Sequence, residues 1–270
     1  MTALLILLGS IVTAIVILKI NSSRNFDKSV NALFLHAESV SYKTFTYQQL
    51  TGLPEPVQRY FKHVLKEGQP YISFIRIKHD GKFKTGLEKD WVDITGEEYF
   101  TANEPGFIWK GRTAFFTAQD SYVSGRGRLD IFLFSLFKIT SGQGEKYDHG
   151  ELLRWLGESV WFPTNLLPGK NLKWAPIDSL SAKLYFTHNK LTVFYIVRFN
   201  SAGEITEMET KRYMGEKNLE AWVGKLSDYE ELNGVVIPTV IEAVYRLPAG
   251  DFSYGKFNLK QIEYDKTGKF

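Results

Sequence analysis

From Tyr71 to the C-terminus apolar residues recur at every second position in run after run, and this period-two pattern constrains the fold more than any other feature. The runs are Tyr71–Lys78, Trp91–Ala102, Phe107–Thr117, Tyr122–Ile139, Ala182–Thr187, Leu191–Phe199, Glu204–Tyr213, Tyr229–Leu232, Val235–Tyr245 and Phe252–Tyr264. Turn signals punctuate them. The strongest is Asn233-Gly234, whose residue types accept the positive φ angles of a tight hairpin. The pattern predicts a mainly β, α+β fold: an antiparallel sheet or half-barrel of about nine to eleven strands, twisted and curled around a central helix. An aromatic share of 15% suits such a body. A curled sheet plugged by a helix encloses an apolar cavity, which fits lipids or other hydrophobic ligands.

The helical interruption is His149–Pro168, HGELLRWLGESVWFPTNLLP. Its spacing predicts a short helix from about Glu151 to Trp161, ended by Phe162-Pro163 because the residue before a proline leaves the helical region. Glu151, Arg154 and Glu158 fall at i, i+3 and i+7 and share one face as an acid–base–acid ladder. On a solvated face such pairs contribute only a few tenths of a kcal/mol each. Turned into a cavity, Arg154 would pair with the anionic head group of an amphiphile and the two acids would orient it. Trp155, Trp161 and Phe162 lie beside these charges, and with the Leu129–Phe137 run they supply apolar contact. Arg212 shares a mixed strand face with Thr206, Met208 and Thr210 that suits a cavity wall. The candidate ligand-binding residues are therefore Glu151, Arg154, Trp155, Glu158, Trp161, Phe162 and Arg212.

Other chemistry finds little footing. There is no cysteine, hence no disulfide, thiolate nucleophile or Cys-ligated metal. His36, His63, His79, His149 and His188 are scattered without metal-ligand spacing. Gly125-Arg126-Gly127-Arg128 lacks the third glycine of a phosphate loop, and its glycines predict a bulge or a tight strand crossing. No cofactor is implied, and a net charge of +3 gives no argument for nucleic acid.

Ala3–Ile20 is apolar except for Lys19 and approaches the ~20 residues that cross a bilayer. It has no basic n-region and no small-x-small cleavage site, so it predicts an uncleaved single-span anchor with the membrane as partner. Residues 21–52 form a polar stalk in which Val30, Leu33, Phe34 and Ala37 predict a short amphipathic helix. A clearer helix follows Leu53-Pro54-Glu55-Pro56 and closes at Gly68. The expected organisation is an anchor over 1–20, helical segments over 21–68 and a β half-barrel over 69–270. Lys19, Arg24 and Lys28 follow the span and point the body toward the cytoplasm.

LPEPVQRYFKHVLKEGQP, the Trp109–Arg112 strand, GRGRL, GELLRWLGESVWFPTNLLP and the NGVVIPT turn resemble an uncharacterised bacterial family of membrane-anchored proteins across most of residues 53–264. The meander with its helix and its Ile-Pro turn also looks like the half-barrel of bacterial lipoprotein carriers and mycobacterial lipid-binding lipoproteins. That likeness implies a hydrophobic ligand and an extracytoplasmic domain, and it outweighs the three flanking charges. The uncleaved anchor and the missing lipidated cysteine argue against free shuttling. Two alternatives stand beside the binding module. One is a hydrolase-type enzyme using Glu151 and Glu158 as acid and base; the other is a non-catalytic assembly or sensor subunit.

Overall fold

The computed structural model describes residues 2–35, 37, 39–215 and 218–270, without the side chains of 2–12 and 14. His36 lies outside the described residues. Helix α1 spans Thr2–Leu35, and α2 spans Glu55–Val64. Six strands follow: β1 Phe74–Phe83, β2 Val92–Thr101, β3 Gly106–Arg112, β4 Phe116–Val123, β5 Arg126–Leu133 and β6 Phe137–Gln143. Helix α3, Glu145–Glu158, separates them from seven more: β7 Leu172–Asp178, β8 Ser181–His188, β9 Leu191–Phe199, β10 Ile205–Met214, β11 Asn218–Leu232, β12 Val235–Leu247 and β13 Gly250–Tyr264. All thirteen form one antiparallel sheet in the order β6-β5-β4-β3-β2-β1-β13-β12-β11-β10-β9-β8-β7.

Thirteen strands replace the nine to eleven expected, for local reasons. The run Tyr122–Ile139 contains two reversals, at Ser124-Gly125 and at Phe134-Ser135, where all four residues hold positive φ. Phe107–Thr117 is broken by Thr113, whose Oγ1 accepts the amides of Phe115 and Phe116 and so stabilises a turn. Lys173-Trp174-Ala175-Pro176, outside the alternating runs, belongs to edge strand β7, where a proline is tolerated. The central helix begins six residues earlier than Glu151 and hands over to a 3₁₀ turn at Ser159–Trp161.

The stalk also differs from expectation, since α1 runs unbroken to Leu35. Its last turns carry Phe26, Val30, Leu33 and Phe34 onto the convex face of the sheet, against Phe74, Tyr99 and Ile108. Among the described residues no helix is long and apolar enough to cross a membrane. Much of the apolar run at 3–20 falls on side chains outside the described set.

Helix α3 lies in the concavity. Leu152, Leu153, Trp155 and Leu156 are buried there with Tyr195, Val197 and Phe186. Tryptophan and tyrosine side chains tie the helix and its exit to the sheet. Trp155 Nε1 donates to the Thr101 carbonyl at 2.9 Å, Trp161 Nε1 to Pro238 at 3.0 Å, and the Tyr195 hydroxyl to Leu153 at 2.9 Å. A Cβ at Gly157 would sit 2.9 Å from that hydroxyl, so the glycine sets how closely helix and strand approach. At one end of the sheet α2 packs Val57, Tyr60, Phe61 and Val64 into the core with Val235 and Ile237 and covers that end.

Trp155→Phe keeps a ring but removes a bond and leaves a void. Urea unfolding is expected to show a loss of about 2–3 kcal/mol. Tyr42→Phe, at a residue 97% exposed, is expected to change stability by less than about 0.5 kcal/mol.

Candidate functional site

Between α3 and the concave face lies a cavity of about 1260 Å³. Its walls alternate with the pleat. Ala118 and Asp120 of β4, Leu129 and Ile131 of β5, Met208 and Arg212 of β10, Trp222 and Leu226 of β11, and Ile241 and Ala243 of β12 all face it. It opens at the end of the sheet opposite α2, where residues 84–87, Phe115, Leu133, Met214, Gly215, Pro248 and Ala249 ring the mouth.

Glu151, Arg154, Glu158, Trp161 and Arg212 line this cavity. Trp155 and Phe162 do not. Trp155 faces Thr101 and Phe186, Phe162 packs 5.3 Å from Phe100, and both serve the core because they sit on the side of the α3 segment turned away from the lumen. The expected ladder is also rearranged. Arg154 donates to Glu158 Oε1 at 2.9 Å, as the helix spacing predicts, but its other nitrogens reach strand residues, Asp120 Oδ2 at 2.7 Å and Glu98 Oε1 at 2.9 Å. Its guanidinium lies over the rings of Trp109 and Phe107, 4.6 and 5.0 Å from their centroids. Glu151 turns instead to Arg212, 3.5 Å away across the lumen. Gly150 lies beside that arginine, and a Cβ there would meet its Nε at 3.4 Å, an ordinary contact.

Four carboxyls thus surround two guanidiniums. If all ionised, two negative charges would lie uncompensated in a low-dielectric interior, an arrangement relieved by taking up protons. Burial, helped by the charge of Asp120, pushes the Glu151 carboxyl up to about 8. Burial also raises Glu98 well above its ordinary value against the pull of Arg154, and raises Asp120. Burial opposes the charge of Arg154, but Glu158, Glu98 and Asp120 outweigh it and hold its pKa well above the ordinary value. Behind the cluster, burial and Arg154 lower His79 to about 4, so its bare Nε2 accepts the Trp109 indole N–H at 2.8 Å. Asp120 Oδ1, Glu151 Oε2 and Glu158 Oε2 are buried without a hydrogen-bond partner among the described residues.

Sequence reasoning misses Glu98 and Asp120. Their signal is an acid on the apolar side of an alternating strand, Ile94-x-x-x-Glu98-x-Phe100 and Ala118-x-Asp120-x-Tyr122. It also misses the contributions of Trp222, Ile241, Tyr254 and Phe257 to the walls, whereas Met208, on the strand face read as a cavity wall, does line it. The Leu129–Phe137 run divides: Leu129, Ile131 and Leu133 line the cavity, whereas Phe134 and Phe137 stand in solvent at its rim. Gly127 provides the tight crossing expected of its motif, since a Cβ there would lie 2.1 Å from the Tyr147 carbonyl at the start of α3.

Two outcomes follow from the cluster. An acid whose folded pKa exceeds its unfolded value gains stability only while both states are protonated. Stability should therefore fall as pH rises from about 4.5 toward 8, by up to about 1.4 kcal/mol per pH unit per group, and then level off. Glu151→Gln, which mimics the protonated form, should flatten this slope and exceed the native chain in stability at pH 8 but not at pH 5, as read from urea midpoints. Arg154→Met strands Glu98 and Asp120 and should cost about 3–5 kcal/mol at pH 7, with part restored by adding Glu98→Gln.

Residues 43–257 match the model of a family of unknown function, DUF6544, and the chain belongs to that family. Comparison with curated proteins gives no match. Among solved structures, the chain is similar to a LolA superfamily protein from Nitrosomonas europaea, at 13% identity and a TM-score of 0.43, covering 81% of this chain and 93% of that one. It is also similar to a domain described as an outer membrane lipoprotein-sorting protein from Vibrio parahaemolyticus, at 10% identity and a TM-score of 0.40, covering 71% and 85%. A DUF1329 family protein from Desulfovibrio piger is similar at 9% identity and a TM-score of 0.41, covering 72% and 86%.

Proposed function

We propose that this DUF6544 member holds a lipid-like or other hydrophobic ligand in its half-barrel, tethered to the membrane by its N-terminal helix with the β domain on the extracytoplasmic side. The observation that carries the reading is the cavity itself: about 1260 Å³, open at one end and walled mainly by aliphatic and aromatic side chains. Small-molecule sites usually enclose about 300–1,000 Å³, and the excess here suits extended acyl or isoprenoid chains. Glu151, Arg154, Glu158, Trp161 and Arg212 are the contacts offered to the ligand's polar end. The two arginines are already matched by four carboxyls, so an uncharged hydroxyl, amide or ester end fits better than an anionic one. The tether rests on the apolar sequence at 3–20. A hydrolytic role for Glu151 and Glu158 has less support, because each carboxyl is held by an arginine through Oε1.

Full-length protein purified in mild detergent should release an amphiphile on organic extraction, identified by mass spectrometry, and should bind a fluorescent fatty-acyl probe. Ala118→Trp with Ile131→Trp, which fills the lumen, should weaken probe binding at least tenfold with unchanged circular dichroism. A native chain that neither releases an amphiphile nor binds the probe would overturn the reading.

A further inference from the structure

We infer that the open end of the half-barrel is a docking surface for a lipid bilayer, so that the cavity mouth and α1 meet the same membrane. This rests on the reading of the cavity as a hydrophobic-ligand site and adds the route by which a ligand enters.

The direction of α1 carries the inference. Phe34 packs 5.6 Å from Phe74 at the start of β1, and Leu33 lies beside Gly106 at the start of β3. Phe26 lies under the Lys110 ammonium, 4.5 Å from its ring centroid, near the far end of β3. Eight helical residues advance about 12 Å, and the four strand residues from Gly106 to Lys110 advance about 13 Å. Helix and strand therefore run side by side in opposite directions. β3 ends at Arg112, about 7 Å beyond Lys110, which α1 matches in four or five residues. The helix clears the sheet near residue 21. Immediately beyond, Ile15, Val16, Ile17, Leu18 and Ile20 are 37–52% exposed, a bare apolar surface among the described residues.

The same strand ends carry the cavity mouth on the opposite, concave face. Phe115, Phe134, Phe137 and Ile139 stand 55–62% exposed there, with Leu87 at 56% on the neighbouring turn. The rim is built rather than loose. The Phe134 amide donates to the Phe115 carbonyl at 2.8 Å, and Thr117 and Ser135 share a hydroxyl bond of 2.6 Å across the two turns. Bare aromatics around an apolar lumen, level with a bare apolar helix, form one surface whose matching solvent is hydrocarbon. The other end of the sheet is covered by α2, whose Val57, Tyr60, Phe61 and Val64 are buried in the core. Docked this way, the mouth gives a lipid chain a path into the lumen without crossing water.

The chain has no cysteine, so a single introduced thiol reports its own depth. Full-length Phe115→Cys, Phe137→Cys and Tyr42→Cys, each carrying an environment-sensitive nitrobenzoxadiazole label, are reconstituted into phosphatidylcholine–phosphatidylglycerol vesicles with brominated acyl chains. Residue 42 precedes the β-bridge of Thr44 with Pro70 at the closed end and serves as the control. Quenching at 115 and 137 should exceed that at 42 at least threefold. Equal, weak quenching at all three positions would overturn docking, and so would dry but unquenched labels at 115 and 137, the mark of a protein or second copy over the rim. Extraction of bound amphiphile from the same samples separates the two claims. Bound amphiphile with unquenched labels removes docking alone, and quenched labels around an empty cavity remove the ligand reading and leave the docking surface.

Discussion

A sheet of thirteen strands that curls upon itself creates an inner face larger than one helix can cover, and this shortage of cover governs the rest of the structure. Helix α3 fills the part of the concavity next to α2 with Leu152, Trp155 and Leu156. What it does not fill stays open as the cavity. In a close-packed protein interior a void of this size is unusual, and it persists because the walls are hydrogen-bonded strands that cannot collapse inward without breaking their ladders. The same framework makes the indole bonds of Trp155 and Trp161 consequential, since they fix how deep the helix sits.

The ionic cluster is the helix's other attachment. Through Arg154 it joins α3 to β2 and β4, and through Glu151 it reaches β10 on the far wall. A well-packed apolar contact would hold the helix at least as well, because desolvation offsets most of what buried ion pairs gain. Polar groups in that position contribute orientation. They define a chemically distinct strip along an otherwise greasy lumen, and the protons carried by Glu98 and Glu151 let that strip be nearly neutral without losing its hydrogen-bonding capacity.

The antiparallel meander, the central helix and the inward placement of Glu151, Arg154, Glu158 and Arg212 were legible because each follows from periodicity, which depends only on local geometry. What escaped depended on partners distant in sequence. Nothing local tells Glu98 or Asp120 that an arginine will arrive from a helix decades of residues later, and nothing local says that Trp155 turns to the core while Trp161 reaches the lumen. Turns hid for another reason. Phe134-Ser135 reverses the chain with positive φ at two residues that carry no glycine, asparagine or proline signal, so the boundary between β5 and β6 is hidden inside an apolar run.

In the sheet every neighbouring pair but one consists of strands adjacent in sequence, and the exception is β1 against β13. The architecture is thus two zigzag ribbons, each assembled from short-range hairpins, welded along a single line. Nearly all the entropic expense of closing long loops falls on that one seam. β1 and β13 meet over nine residue pairs with a bulge at Lys78/His79, and His79 abuts the Trp109 indole that floors the arginine cluster. The weld and the polar strip are therefore one side chain apart, joined through the Trp109 indole.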